Sequence, residues 1–333
     1  MNNFRTELSL FASGARISLT DRILTIGSCF SDAIGNQLLL NKLKALVNPF
    51  GTIYNPFSIH KVVQHAIIRS TISDTSFAQR QDSLLHYDFH SRFSAPNKEE
   101  LQHTLQSALS DTHDFLRNAK WLIITYGTAW VYELKETSSI VANCHKMPQS
   151  LFNKFLLTQK KVLDSFETMY VDLKTLNPDL QIVLTVSPVR HLKETLELNS
   201  VSKSVLRIAC HTLSHQHSDV HYFPSYEIML DDLRDYRFYK SDMIHPSEVA
   251  EGYIWEKFIN SYFDEELKLF LKKWKEITLA LNHRPFNRGS GPHQKFVLET
   301  IKKLEELKHL VDVDEELALL KISDERSGFG PNL

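Results

Sequence analysis

The sequence predicts an α/β fold, a five-stranded parallel sheet covered by helices on both faces. Three observations carry this: short apolar runs recur along the 333 residues, helical segments separate them, and the first four runs end in turn signals. Residues 23–26 end at Gly27-Ser28, 45–47 at Asn48-Pro-Phe-Gly51, 121–126 at Gly127-Thr128 and 182–186 at Ser187-Pro-Val-Arg190; residues 220–223 form the fifth run. Apolar runs of this length suit strands buried on both faces. Right-handed crossovers bring the strand C-termini to one edge, where open α/β sheets bind ligands. Four turns far apart in sequence are therefore predicted to converge.

Two insertions interrupt the alternation. Residues 71–93 include a β-like pair, and residues 130–144 hold two β-like runs around Lys135-Glu-Thr-Ser138. Insertions at a ligand edge form lids or specificity walls. Further on, 249–280 read as helical, 284–292 as a linker rich in Gly, Pro, Asn and Arg, and 296–320 as a solvated amphipathic helix. The expected organisation is a main domain over 1–263 and a C-terminal helical extension over 264–333. That extension is expected to dock on the main domain or on a partner subunit of a homo-oligomer.

Composition narrows the function classes. Hydrophobic content of 42% with 23% charged residues fits a globular protein and excludes general disorder. A formal net charge of −2 supplies no basic field for a phosphate backbone, so nucleic acid is not the expected partner and a small molecule is. The N-terminus lacks the basic start and apolar core of a secretory signal, and no apolar stretch is long enough to span a bilayer. The expectation is a cytoplasmic protein without a membrane partner. Three widely spaced cysteines, Cys29, Cys144 and Cys210, fit a reducing compartment and form no zinc-type pair.

The first strand runs directly into Gly27-Ser28 and then a helix, which predicts a serine hydroxyl at a helix N-terminus, beside unpaired N–H groups. Ser28 is the candidate nucleophile, and its own N–H a candidate oxyanion donor. Late in the chain, Asp242 stands three residues before His245, with Pro246 turning the backbone. An aspartate that accepts from one imidazole nitrogen leaves the other free to take a proton from a nucleophile. Asp242 and His245 are the candidate orienting acid and base.

Gly51, with no side chain to block approach, is a candidate second oxyanion donor through its N–H. Asn143, from the neighbouring insertion, is a third. Thr128, His145, Arg190 and His191 are candidate substrate contacts, Arg190 because its guanidinium matches anionic forks. If 86–90 is extended, His86, Asp88 and His90 share one face. That set is metal-ligating by residue type, but the pattern recurs by chance and no other ligands cluster near it. No metal and no cofactor are expected, and Asp88 with His90 is assigned to the substrate wall. Cys29 is read as a buried small hydrophobe, with a thiol nucleophile as the alternative.

Gly27-Ser-Cys-Phe-Ser31, Asn48-Pro-Phe-Gly-Thr-Ile-Tyr-Asn-Pro56, Asp88-Phe-His-Ser91, Gly127-Thr-Ala-Trp130, Val141-Ala-Asn-Cys-His-Lys146, Ser187-Pro-Val-Arg-His191 and Asp242-Met-Ile-His-Pro246 resemble, in this order, the blocks of the GSCFA family. That family is similar to SGNH, or GDSL-like, hydrolases, and the resemblance spans residues 4–263. It implies a three-layer α/β/α, flavodoxin-like fold, with Ser28 in the nucleophile block, Gly51 in the second, and Asp242 and His245 in the last. Ser31 replaces the alanine of the family's name. No asparagine follows Gly127, where the wider pattern has an oxyanion donor.

The resulting expectation is a serine-dependent hydrolase of ester bonds, such as acyl or acetyl groups on a carbohydrate or small metabolite. Two alternatives remain at this point: an acyltransferase using the same acyl-enzyme with water excluded, and a non-catalytic ligand-binding protein on a hydrolase fold. Partition of the acyl group between water and added sugars separates the first. Ligand binding without turnover identifies the second.

Overall fold

The computed structural model describes residues 6–10, 14–283 and 290–325. Residues 284–289 of the expected linker lie outside the described residues, as do the first five residues of the chain and the last eight of the expected extension. In chain order the elements are β1 (Arg22–Gly27), α1 (Cys29–Leu40), β2 (Lys44–Val47), α2 (Pro56–Ile67), β3 (Phe77–Arg80), β4 (Ser83–His86), β5 (Ser94–Ala95) and α3 (Lys98–Arg117). There follow β6 (Trp121–Tyr126), β7 (Trp130–Leu134), β8 (Ser139–Val141), β9 (Phe152–Leu156), α4 (Gln159–Leu176), β10 (Gln181–Val186), α5 (Leu196–Gln216) and β11 (Val220–Phe223). The helices α6 (Ser225–Glu227), α7 (Glu248–Tyr262), α8 (Glu265–Leu281), α9 (Gly291–Leu307) and α10 (Asp314–Glu325) complete the list. The chain forms two compact units; the second comprises Ile17–Leu19, Leu40–Lys42 and the residues from Phe263 onward.

The first unit is built on a five-stranded sheet in the order β11-β10-β6-β1-β2, every pair parallel. Numbered by their own succession these strands run 2-1-3-4-5, the flavodoxin-like order, whose switch point falls between β1 and β6. All six residues of β6 are buried, as a central strand covered on both faces requires. Leu24, Ile26, Leu122, Ile124, Ile182 and Leu184 join one apolar core with Ile59, Val63, Leu105, Phe166 and Leu206 of α2, α3, α4 and α5. Each fully buried side chain of this size contributes about 1.5–3 kcal/mol. The alternate residues face the other layer. There Trp121 meets Tyr262 of α7 edge-on, Phe223 meets Phe258, and Thr25 Oγ1 donates to Ser31 O of α1.

Helix starts follow cap chemistry. Asn55 accepts from the Ser58 N–H with Pro56 in the first turn, Asn97 from Glu100, and Thr158 from Lys161. Both insertions are antiparallel sheets, β3-β4-β5 and β8-β7-β9. The second gains a strand, β9, that the apolar pattern does not mark, because its Asn153 and Lys154 are exposed.

The second unit holds α8, α9 and α10. The span 249–280 is not one helix: Asp264 accepts from the Leu267 N–H and starts α8 afresh. The span 296–320 also divides, since α9 ends at Leu307 and the Asp314 N–H turns back onto Asp312 Oδ1. Side-chain competition for backbone N–H groups breaks both helices where apolar periodicity alone runs on.

Candidate active site

Gly27 closes β1 at φ 137°, and a Cβ there would meet Thr125 O at 2.2 Å. Only glycine allows β1 to end this close against β6. The Ser28 N–H then donates to Thr125 O at 3.0 Å. The Ser28 side chain is fully buried, and its Oγ accepts the Phe30 N–H at 3.4 Å. That is an N-cap contact. The Ser28 hydroxyl, expected at the ligand edge, is buried in this turn, and the neighbouring Cys29 is partly exposed.

A cavity of about 920 Å³ opens at the C-terminal edge of the sheet. Cys29 lines it at the start of α1, Thr128 just beyond β6, Arg190 and His191 after β10, and His245 from the late loop. Asn143 enters from the β8–β9 connection. His245 Nδ1 lies 2.7 Å from Asp242 Oδ2, while Asp242 Oδ1 accepts the N–H groups of Ile244 at 2.9 Å and His245 at 3.0 Å. These two N–H donors, then the imidazole, hold the Asp242 carboxyl down to about 2. As the carboxylate accepts at Nδ1, Nε2 is the nitrogen left for proton transfer.

The Cys29 thiol is pushed up by burial and by the Asp32 carboxylate, and pulled back by the Lys203 ammonium and the N–H groups of Cys29 and Phe30. It is therefore a thiol that needs a base. His191 is held neutral, down to about 3, by burial and by the nearby Lys203 and His245. Its ring meets Tyr54 edge-on with centroids 5.3 Å apart, and its Nε2 is buried without a partner. Thr128 Oγ1 pairs with Ser202 Oγ at 3.0 Å, and the Arg190 guanidinium lies 4.6 Å over the Tyr239 ring.

Four further residues stand elsewhere than expected. The Gly51 N–H is spent on Asn48 O at 2.8 Å. Its glycine character serves instead a φ of 75° and the approach of His90, whose Cβ lies 2.3 Å from where a Cβ on Gly51 would fall. His90 covers this turn and is not among the cavity residues. The run 86–90 is not extended: β4 ends at His86 and the Phe89 N–H turns back to His86 O. Asp88 consequently sits in a separate cavity of about 190 Å³, ion-paired with Lys61 at 2.7 Å. His145 is buried, with Nε2 donating to His86 O at 2.9 Å and Nδ1 3.1 Å from Ser91 Oγ. It ties two loops together and does not face the cavity.

Residues 22–258 match the model of the GSCFA family. The chain belongs to the GSCFA family. A second model, GSCFA domain protein, C-terminal domain, matches residues 274–325 of this GSCFA chain. No curated protein matches it. Among solved structures it is similar to a family 3 carbohydrate esterase of Clostridium thermocellum, at 11% identity and a TM-score of 0.33, covering 76% of this chain and 99% of that one. It is also similar to a carbohydrate esterase family 3 structure from Talaromyces cellulolyticus, at 7% identity and a TM-score of 0.35, with the same coverage.

The GSCFA chain also brings in residues that sequence reasoning passed over. Tyr54, Asn55, Trp130, Tyr132 and Lys193 line the cavity. Asn55 both caps α2 and lines the cavity, and an Asn-Pro pair before an apolar run is the sequence signal for such a cap. Lys203 of α5 is fully buried, its Nζ donating to Gly127 O at 2.8 Å and Ser187 O at 2.7 Å. It occupies the buried stripe of Asn199, Lys203, Leu206 and Cys210. That spacing was legible; a lysine on it reads as solvent-facing unless the stripe is given precedence. Among the described residues no group of three or more His, Cys, Asp or Glu is arranged to hold a metal ion, and no helix is long and apolar enough to cross a membrane.

Proposed function

We propose that this GSCFA protein hydrolyses esters by acyl transfer through the Cys29 thiol, with His245 as base and Asp242 as its orienting acid. The observation that carries the reading is the shared cavity. Cys29 and His245 line one space at the sheet edge, and the imidazole is already held at Nδ1 by Asp242.

His245 Nε2 takes the thiol proton as sulfur attacks the acyl carbon; the C–S bond forms, the C–O bond breaks, and the proton passes to the departing alkoxide. Water, deprotonated by the same nitrogen, then attacks the thioester. The C–S bond breaks, releasing the carboxylic acid and regenerating the thiol. The Cys29 N–H and the second amide hydrogen of Asn143 are the proposed oxyanion donors, the first amide hydrogen being given to Ser91 Oγ at 3.2 Å. Trp130 and Tyr132, with Arg190 and Lys193, line the space beyond. These support a small or carbohydrate ester as the substrate class.

The test is turnover of p-nitrophenyl acetate by the full chain, with acid quench and mass-spectrometric mapping of the acyl adduct. The expected result is an acetyl group on Cys29 that is lost in Cys29→Ala and His245→Ala. An adduct on Ser28 would restore the serine mechanism. Tight sugar-ester binding without turnover or adduct would make the protein a binding module.

A further inference from the structure

The cavity at the sheet edge carries an excess of positive charge. Lys146, Arg190, Lys193 and Glu194 line it together with His245. Glu194 is the one carboxylate among these lining residues, and Lys154 takes it in an ion pair of 2.6 Å. The nearby acids are also engaged. Asp242, behind His245, holds the imidazole and two backbone N–H groups, and Asp32 of α1 accepts from Asn48 Nδ2 at 2.7 Å. By contrast, Lys146, Arg190 and Lys193 form no ion pair among the described residues. Cations without a counter-charge in one concave space concentrate anions there.

Two of these cations are held in place by their surroundings. The Arg190 N–H donates to Ile244 O at 3.4 Å, and the Arg190 guanidinium lies 4.6 Å over the Tyr239 ring. The residue after Tyr239, Lys240, donates its N–H to His245 O at 2.8 Å. Arg190 is thus tied to the loop that carries the base. Lys193 leaves the same segment after β10 in the other direction, its ammonium 4.8 Å over the Tyr132 ring of β7. One short segment therefore presents a cation beside the base and another beside the inserted sheet. A guanidinium held on an aromatic ring keeps its edge N–H groups for the two oxygens of a carboxylate.

We propose that this cavity selects esters bearing a carboxylate, with Arg190 as the anchor of that group and Lys193 as a second cation that strengthens its binding. The inference rests on the reading of the cavity as an ester site and deepens it by fixing the charge of the substrate. The carboxylate belongs either to the acyl group, as in the half-ester of a dicarboxylic acid, or to the alcohol, as in an acylated uronic acid. Both offer Arg190 the same planar anion.

Isothermal titration calorimetry of the full chain tests this without turnover. Glutaric acid monoamide is compared with glutaramide for the acyl side, and glucuronate with glucuronamide for the alcohol side. The members of each pair match in shape and differ by one negative charge. At least one anion is expected to bind about tenfold or more tighter than its neutral amide, with the preference shrinking as salt rises. Arg190→Gln is expected to remove most of the preference by weakening the anion alone, Arg190→Lys to recover part of it, and Lys193→Gln to reduce it by a smaller factor. Equal affinity within both pairs, no measurable binding of either anion, or an Arg190→Gln protein that loses charged and neutral members alike would overturn the proposal. The wild-type comparison needs no variant to fold. Because no ester is present, anion binding by a protein that fails to turn over esters would sink the acyl-transfer reading and leave this one standing. Turnover of p-nitrophenyl acetate with equal affinity within both pairs would do the reverse.

Discussion

His245 Nδ1 and Asp242 Oδ2 lie 2.7 Å apart, and the aspartate's other oxygen accepts two backbone N–H groups of the same loop. The pair is locally assembled, three residues apart, and both side chains are nearly half exposed. Its value to stability is therefore small. Asp242→Asn is expected to lower the turnover of an activated ester by about 10²–10⁴-fold, the range for losing an oriented acid–base group, with the melting temperature unchanged. Steady-state kinetics alongside a thermal melt checks both halves. A large drop in melting temperature would mean that the loop, not the chemistry, depends on this pair.

Ser28→Ala separates a buried cap from a nucleophile. The substitution removes the Oγ acceptor of the Phe30 N–H, at an expected cost of about 0.5–2 kcal/mol. Turnover and Cys29 alkylation are expected to stay within a few-fold of wild type. Urea unfolding and labelling of the same preparation measure the two together. Complete loss of turnover in a folded Ser28→Ala would return the nucleophile to Ser28.

Much of the sheet was legible because its strands are continuous apolar runs that end in turn residues. The five runs, their parallel pairing and the edge where their turns meet all follow from that pattern. The Asp242–His245 pairing was legible for a local reason: three residues and a following proline bring the side chains together. What the pattern does not encode is which side a turn residue faces. The burial of Ser28 beside a partly exposed Cys29 was not legible, because a strand-to-helix turn has neither period 2 nor period 3.6. The positions of His90 and His145 are not encoded in that pattern either. Their loops are fixed by hydrogen bonds between segments distant in sequence, such as His145 to His86 O and the His90 N–H to Phe50 O.

Gly51→Ala tests the reassigned role of that glycine. A methyl at this position meets the His90 Cβ at 2.3 Å on a backbone with φ 75°. Both the left-handed conformation and the clash oppose it. Destabilisation of about 2 kcal/mol or more is expected in urea unfolding, with the alkylation rate of Cys29 changed little. Stability left nearly intact would show that neither this φ nor the His90 contact constrains the position.

Acid lability should come from histidines buried in the neutral form. His60, bonded to Ser165 Oγ at 2.8 Å and Tyr126 OH at 2.7 Å, is held down to about 3 by burial. Burial also holds His191 to about 3 and His86 to about 4. Once unfolded, each titrates near the ordinary value of about 6.5. Between these limits the unfolded chain binds more protons than the folded one, so stability rises with pH. The histidine contribution is complete above about 6.5 and is lost progressively as pH falls toward 3. Asp242, held at about 2 when folded against 3.8 ordinarily, adds to the same acid-side slope only below about pH 4, where the unfolded chain takes up its proton first. The urea midpoint is therefore expected to fall steadily on acidification below neutrality, and the fall should be shallower in His60→Gln, which cannot take up the proton. Equal slopes for the two proteins would show that His60 titrates in the folded state and that its burial does not keep it neutral.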